Sequence, residues 1–312
     1  MKRTYIRLII TGILMVLFLA SAQFAAARIY RVPNDFVTIQ EAIDDPEVKD
    51  RDTILVDSGN HAGAHITKAV RIRGRRGAVI DSGPLPWPGL RPFIAGFFFD
   101  GSGSGSGAKI ERLQFEHVEY PVFSRGADEV TVSHCKMINP VQGITNWHGN
   151  RWIIRYNRIT DLSTYNGGGI GIVLGALYGG PVTCNWVFHN SIHGILYVDP
   201  RDSGGYNGSG IVLYADFRWE SRGADQMAYN WVMRNKIGLV SDTADVVDVC
   251  AIELTDTRND PLAYPYPVIY HNVIGYNDLR DTELRIILTP EDLSQYNYIF
   301  RNPGKNRCRV FF

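Results

Sequence analysis

Two stretches of this chain set carboxylates beside guanidinium groups: Asp216 with Arg218, and Asp256 with Thr257, Arg258 and Asp260. Each follows an apolar-x-apolar pair, Ile211 with Leu213 and Ile252 with Leu254. Laying those pairs side by side brings Tyr214 next to Thr255 and Ala215 next to Asp256. Removing a proton beside a sugar carboxylate needs a cation to neutralise the acid and a base for the adjacent C–H. Arg218 and Arg258 suit the first task, because a guanidinium grips a carboxylate through paired N–H donors. Asp216 or Asp256 would orient a proton-transfer group or a cation. Glycoside hydrolysis would instead need two carboxylates at a controlled separation. The structural alternative is an Asp/Arg network that only pins neighbouring loops.

Asp199-Pro200-Arg201-Asp202 follows the apolar stretch Ile195 to Val198 and adds Asp199 and Arg201 to the candidates. Asp-Pro is also a common turn opener, and Arg201 stays protonated at any working pH, so it cannot be a base. His193 lies six residues before Asp199 and is the histidine carried into a site hypothesis. Asp242, Asp245 and Asp248 raise the possibility of bound calcium. Their spacing matches no EF-hand loop, which leaves a solvated acidic turn as the alternative. Trp147, Trp152, Tyr165, Tyr178, Tyr197, Tyr206, Tyr214 and Trp219 cluster where loops should leave strands, and exposed rings there could stack on sugars.

Such residues need a frame, and the chain supplies one by repeating itself. Residues 185–192 read NWVFHNSI and residues 230–237 read NWVMRNKI. Asn-x-Ile recurs at Asn157, Asn190, Asn235 and Asn272, and apolar-x-apolar pairs recur at Ile172/Leu174, Ile211/Leu213, Ile252/Leu254 and Ile286/Leu288. Residues two apart in a strand share a face, so the eight Ile and Leu side chains predict one interior column, with Val212, Glu253 and Ile287 pointing outward. Inward-turned Asn residues at equivalent corners would hydrogen-bond from coil to coil. The irregular spacing predicts a solenoid whose strands stay in register while its loops vary. At roughly 30 to 40 residues per coil, it would hold about seven to nine coils.

Thr38 and Glu41 have capping-box spacing, and Ile39, Ala42 and Ile43 share one face of the short helix that would follow. That helix would cover the exposed end of the first coil. The tract Gly101 to Gly107 reads as a loop within a single domain spanning residues 28–312. Cys135, Cys184, Cys250 and Cys308 are too widely spaced for a stapled scaffold or a zinc site. Small buried roles are expected for them, and Cys135 sits where the Asn series would extend backwards.

Lys2, Arg3 and Arg7 precede an apolar run from Leu8 to Leu19, which ends in small residues through Ala27. This order is that of a secretory signal peptide over residues 1–27, so a secreted or periplasmic monomer is expected, with no stable membrane insertion after processing. Removing three basic residues leaves 29 Lys plus Arg against 32 Asp plus Glu, a net charge of −3. That balance offers no reason to expect nucleic acid as a partner.

The segment RVPNDFVTIQEAIDD, followed by DTILVDSG and AVRIRG, resembles the capping helix and opening coil of the pectin lyase-like right-handed parallel β-helix superfamily. The later Asn-x-Ile repeats are similar to its generic coil. The resemblance implies an all-β, single-stranded right-handed parallel β-helix with a short N-terminal capping helix. It also implies a polysaccharide partner, but no reaction, since lyases, hydrolases, esterases, epimerases and adhesins share this fold. Asp199-Pro200-Arg201-Asp202 is similar to the Asp-Pro-His-Asp motif of alginate C5-epimerases, with Arg201 in place of the His. The implied function is to bind an extracellular uronate glycan, with lyase or epimerase chemistry on it as the reading to test. The alternative is a non-catalytic surface or periplasmic scaffold. Sequencing the N-terminus of exported protein should return a chain starting near Arg28, or near Gln23 if the earlier site is cut; a chain starting at Met1 would overturn the export reading.

Overall fold

In a computed structural model, the described residues are 26–85, 93–165, 168–176, 180–198, 208–215, 226–242, 249–257, 268–289 and 291–304, with the strand 309–310 described by its backbone. Every strand pair among them is parallel and joins successive turns of one right-handed β-helix. Three long sheets form the sides, and a short fourth joins Pro181–Thr183, Gln226–Ala228 and Ile269–Tyr270 just before sheet 1 in the later coils. Sheet 1 has ten strands from Ile29–Val32 to Tyr298–Phe300, sheet 2 nine from Ala64–His65 to Arg309–Val310, and sheet 3 seven from Gly59–Ala62 to Lys236–Ser241. One coil runs Thr131–Ser133 in sheet 1, Lys136–Ile138 in sheet 3 and Gln142–Trp147 in sheet 2, then returns to Ile153–Arg155 in sheet 1.

The ten strands of sheet 1 bound nine complete turns, at the upper end of the expected number. The coils differ in length: Cys135 meets Asn157 across 22 residues, the next neighbours are 33, 45 and 42 residues apart, and the last pair 25.

The apolar pairs stack as their spacing predicts. Ile172, Ile211, Ile252 and Ile286 are in register, as are Leu174, Leu213, Leu254 and Leu288, and all eight are buried. Gly143, Gly171 and Gly210 run beside them where backbones come closest; a Cβ on any of the three would lie 2.6 Å from a carbonyl oxygen of the next coil. Helix α1, Ile39–Asp44, covers the first coil with Ile39, Ala42 and Ile43 buried. Its N-cap is a complete capping box, with the Thr38 hydroxyl accepting from the Glu41 N–H and the Glu41 carboxylate accepting from the Thr38 N–H.

The asparagines form two columns, and this corrects the assignment of Asn272. Sheet 1 strands are three residues long in most coils, and each later one has an Asn just before it and another two residues after it. Asn185, Asn230, Asn272 and Asn297 stand before the strands. Asn157, Asn190, Asn235, Asn277 and Asn302 stand after them. Asn272 therefore belongs to the first column, and Asn277 continues the second. Each Asn Oδ1 accepts from a backbone N–H in the preceding coil, and Cys135 heads the second column by donating its N–H to Asn157 Oδ1 at 3.0 Å. The residue before each Asn of the second column takes positive φ, 55° at His189 and 56° at Arg234, so corner and strand are set together.

Asn190 shows what one member contributes. Its Oδ1 accepts from the Asn157 N–H at 3.1 Å and from Asn157 Nδ2 at 3.0 Å, and its Nδ2 donates to the Ile154 carbonyl at 3.0 Å. Asn190→Leu would strand a buried N–H and a buried carbonyl, each costing about 1–3 kcal/mol. Leu213→Asp would bury an unpaired charge, on the order of 4 kcal/mol. Both variants should unfold at clearly lower denaturant than wild type; unchanged midpoints would remove the column assignments.

Candidate functional site

The outer face of sheet 2 is where the described strands meet the chain segments carrying the candidate residues. Strand Gly208–Ala215 is preceded by residues 199–207 and followed by 216–225; strand Val249–Asp256 is preceded by 243–248 and followed, after Thr257, by 258–267. Asp199, Arg201, Asp216, Arg218 and Arg258 lie in those segments, outside the described residues, as do Asp245, Asp248, Tyr178, Tyr206, Trp219 and Cys308. Asp256 is described. It is buried at 6% exposure, ends its strand, and pairs in register with Ala215, just as Tyr214 pairs with Thr255. The predicted alignment of the two strands therefore holds, and the segments beginning at 216 and 258 leave neighbouring coils at the same edge.

Between the apolar columns, residues of sheet 2 point outward. Thr145, Val173, Val212, Glu253 and Ile287 share one such register. Val212 and Ile287 face outward as expected but are buried, so this surface is covered rather than bare. Glu253 is the carboxylate in that row. Ser209 Oγ and Thr255 Oγ1 each donate to it at 2.6 Å, one to each oxygen, and Ser209 Oγ also lies 3.3 Å from Cys250 Sγ. A carboxylate set between Val212 and Ile287 would be costly without these donors. The carboxylate and its two hydroxyls thus form a polar cluster in an apolar row; Asp256, two residues beyond Leu254 and in register with the core residue Ala215, has the inward parity and is buried instead. Glu253 was legible only as an outward strand position; its Ser and Thr partners, 44 and two residues away, become visible only once the register is known.

The ring hypothesis divides. Trp152 is fully buried and donates its indole N–H to the Ala127 carbonyl at 2.7 Å, so it belongs to the core. Trp147 remains on the outer face of sheet 2, edge-on to Tyr214 with centroids 6.3 Å apart. It lies over Gly175, where a Cβ would come within 2.2 Å of the indole. Tyr165 packs with Trp147 and Phe98 against a small apolar cluster, and Tyr197 is exposed. The pair missed by sequence reasoning is Trp186 and Trp231, stacked on sheet 1 with centroids 4.9 Å apart and planes within 3°. Rings piled along the helix axis present edges rather than faces to solvent, which makes them a coil-to-coil contact and a poor platform for a sugar.

His193 faces away from sheet 2, on sheet 3. Its Nε2 is 3.2 Å from an Arg158 guanidinium nitrogen and its Nδ1 is 3.3 Å from Ser191 Oγ. Burial, with Arg158 second, holds its imidazole below the usual range, so it joins no cluster with Asp256. Among the described residues no group of three His, Cys, Asp or Glu could hold a metal ion. Asp242 instead accepts the Val198 N–H at 3.3 Å.

No protein-family model and no curated protein matches the chain. Among solved structures, a crystal structure of pectin methylesterase in complex with hexasaccharide VII matches at 11% identity, covering 86% of this chain and 81% of that one, with a TM-score of 0.35. A likeness that distant says nothing about chemistry. The parallel β-helix fold rests on the parallel pairing and the stacked columns themselves.

The cysteines separate by burial. Cys135 and Cys250 are buried, as expected, and neither forms a disulfide among the described residues, whereas Cys184 is exposed, against expectation, because it occupies a corner with φ of 59°. Burial pushes the Cys135 thiol up to about 12, and the thiolate is the reactive form. Mild alkylation of native protein near neutral pH should therefore label Cys184 and spare Cys135 and Cys250. Peptide mapping that found Cys135 labelled as fast as Cys184 would contradict the packing of the Asn157 column.

Proposed function

We propose that this is an exported β-helix protein that binds an anionic polysaccharide across the outer face of sheet 2 and acts on its uronate residues. The observation that supports this reading is Glu253, held on the outward row of sheet 2 by Ser209 and Thr255. The segments bearing Asp216, Arg218 and Arg258 follow neighbouring sheet 2 strands at their C-terminal ends, whereas Asp199 and Arg201 precede strand Gly208–Ala215 at its other end. In the proposed reaction Arg218 and Arg258 hold the uronate carboxylate, and Asp216 or Glu253 serves or orients the base that removes the C5 proton. The electron pair released either forms the C4–C5 double bond, expelling the C4 oxygen, which takes up a proton, or recaptures a proton from the opposite face of the ring. The first course is a lyase and the second a C5-epimerase. Calcium could share in neutralising the carboxylate.

Purified mature protein should be incubated with alginate, pectate and neutral glycans, with and without calcium, while unsaturated product and proton exchange at C5 are followed. Activity on a charged glycan is expected. Glu253→Gln and the double variant Arg218→Ala/Arg258→Ala should each lose most of that turnover, roughly a hundredfold or more, while unfolding at wild-type denaturant concentration. Activity that survives loss of both arginines would sink the proposed site. Silence across the whole panel would favour the non-catalytic scaffold.

A further inference from the structure

Sheets 1 and 3 meet at the corner followed by the second Asn column, and sheet 2 forms the remaining side of the coil. Over the early coils this corner carries a depression of about 650 Å³, open to solvent and walled by Arg73, Arg75, Arg76, Arg112, His134 and Lys136. Local backbone geometry makes it. Later coils turn this corner with one residue of positive φ followed by an Asn, but here the chain takes a wider bend through Arg75 and Arg76 to Gly77, whose φ is +85°. The Ala78 N–H closes the bend by donating to the Arg75 carbonyl at 3.0 Å. Gly74 allows the coils to close up beneath it, since a Cβ there would lie 2.4 Å from the Arg112 carbonyl oxygen. The floor is therefore tight backbone and the walls are long cationic side chains.

Neighbouring cations have carboxylate partners. Arg71 pairs with Glu111 at 2.6 Å, Arg75 with Asp57 at 3.0 Å and Arg151 with Glu129 at 2.9 Å. Among the described residues, none of Arg73, Arg76, Arg112 and Lys136 has a carboxylate within ion-pair distance. Lys136 is in register with Arg158 on the next coil, whose guanidinium meets His193 and not an acid. Beside them the rings of His134, Tyr156 and His189 stack with centroids 5.1 and 5.2 Å apart. Like charges on adjacent strands, about 4.8 Å apart, repel and weaken the sheet. Residues 28–312 carry a net negative charge, so this basic corner is a local concentration and no reflection of overall composition.

We propose that this corner is a second binding site, taking the carboxylate or sulfate groups of an anionic polysaccharide that lies along the helix axis. It rests on the reading of the partner as a charged glycan and is independent of any reaction at sheet 2. Guanidinium groups hold such anions through paired N–H donors. A polymer engaging several coils at once gains by multivalency what each exposed contact lacks alone. A chain anchored here leaves sheet 2 free for a second segment of the same polymer.

The test compares wild type with Arg76→Ser/Arg112→Ser/Lys136→Ser and with Glu253→Gln. Each is measured for retention on immobilised pectate, a sulfated glycan and a neutral glucan, at low and high salt, and for turnover of short soluble oligosaccharides. The three substituted side chains are exposed, so the triple variant should unfold as wild type does, and circular dichroism checks this. Salt-sensitive retention of wild type on a charged glycan is expected, with the affinity falling roughly tenfold or more in the triple variant. Its turnover of short substrates should be unchanged, while Glu253→Gln keeps wild-type retention. Comparison of the pectate and sulfated columns identifies which anion the corner takes. Equal retention of wild type and triple variant would overturn the corner site and leave the sheet 2 reading standing. Corner-dependent retention with no turnover in any variant would do the reverse. Tighter corner-dependent binding to single-stranded DNA than to either charged glycan would also overturn the proposal.

Discussion

A parallel solenoid must turn corners in every coil, and the corners on either side of sheet 1 direct backbone N–H groups into a stack that water does not enter. The asparagine columns resolve that problem. A side-chain amide has an acceptor for an N–H of the preceding coil and donors for a carbonyl of that same coil, so one residue type repeated in register satisfies both kinds of buried group. Because the acceptor of one Asn takes both the backbone and side-chain N–H of the previous one, the columns behave as continuous hydrogen-bonded wires. The interior Ile and Leu columns depend on this arrangement. They can stack only if each coil begins its strands at the same height, and the corner residue of positive φ together with its Asn fixes that height.

The same constraint explains what could be read directly from the chain. Columns built from one residue per coil leave a periodic trace, so Ile172, Ile211, Ile252 and Ile286, and the Leu residues beside them, were aligned correctly although the coils differ in length. Asn272 was misplaced because both amide columns flank the same short strand. Asn272 with Ile274 and Asn190 with Ile192 have identical spacing, yet one stands before a sheet 1 strand and the other before a sheet 3 strand. The early coils carry Arg112 and His134 at the corner, followed by Leu113 and Cys135 where later coils have Asn, and so leave no amide signature.

The candidate chemistry was less legible for a related reason. Loop residues obey no register, so Asp199, Arg201, Asp216, Arg218 and Arg258 could be grouped only through the strands they follow or precede. Asp256, at a strand end, was placed next to Ala215 by the alignment and is found there. Glu253 escaped notice because an outward Glu in a strand is ordinary. What distinguishes it is the apolar row it interrupts and the two hydroxyls converging on it, and neither is visible within one coil.

The four arginines between residues 71 and 76 were visible as composition, and their consequence could not be inferred without geometry. In a strand, Arg71 and Arg73 point to the same outer face. Arg71 finds Glu111 on a neighbouring strand, and Arg75 finds Asp57 on another. Among the described residues Arg73, in register with Glu111, and Arg76 have no carboxylate within ion-pair distance, and the next two coils add Arg112 and Lys136 to the same side. Folding demands inward residues that fill the interior and corners that satisfy their amides, but it places few demands on outward positions. Cations gathered at such positions oppose folding only slightly, because each remains solvated, so folding alone does not select against them.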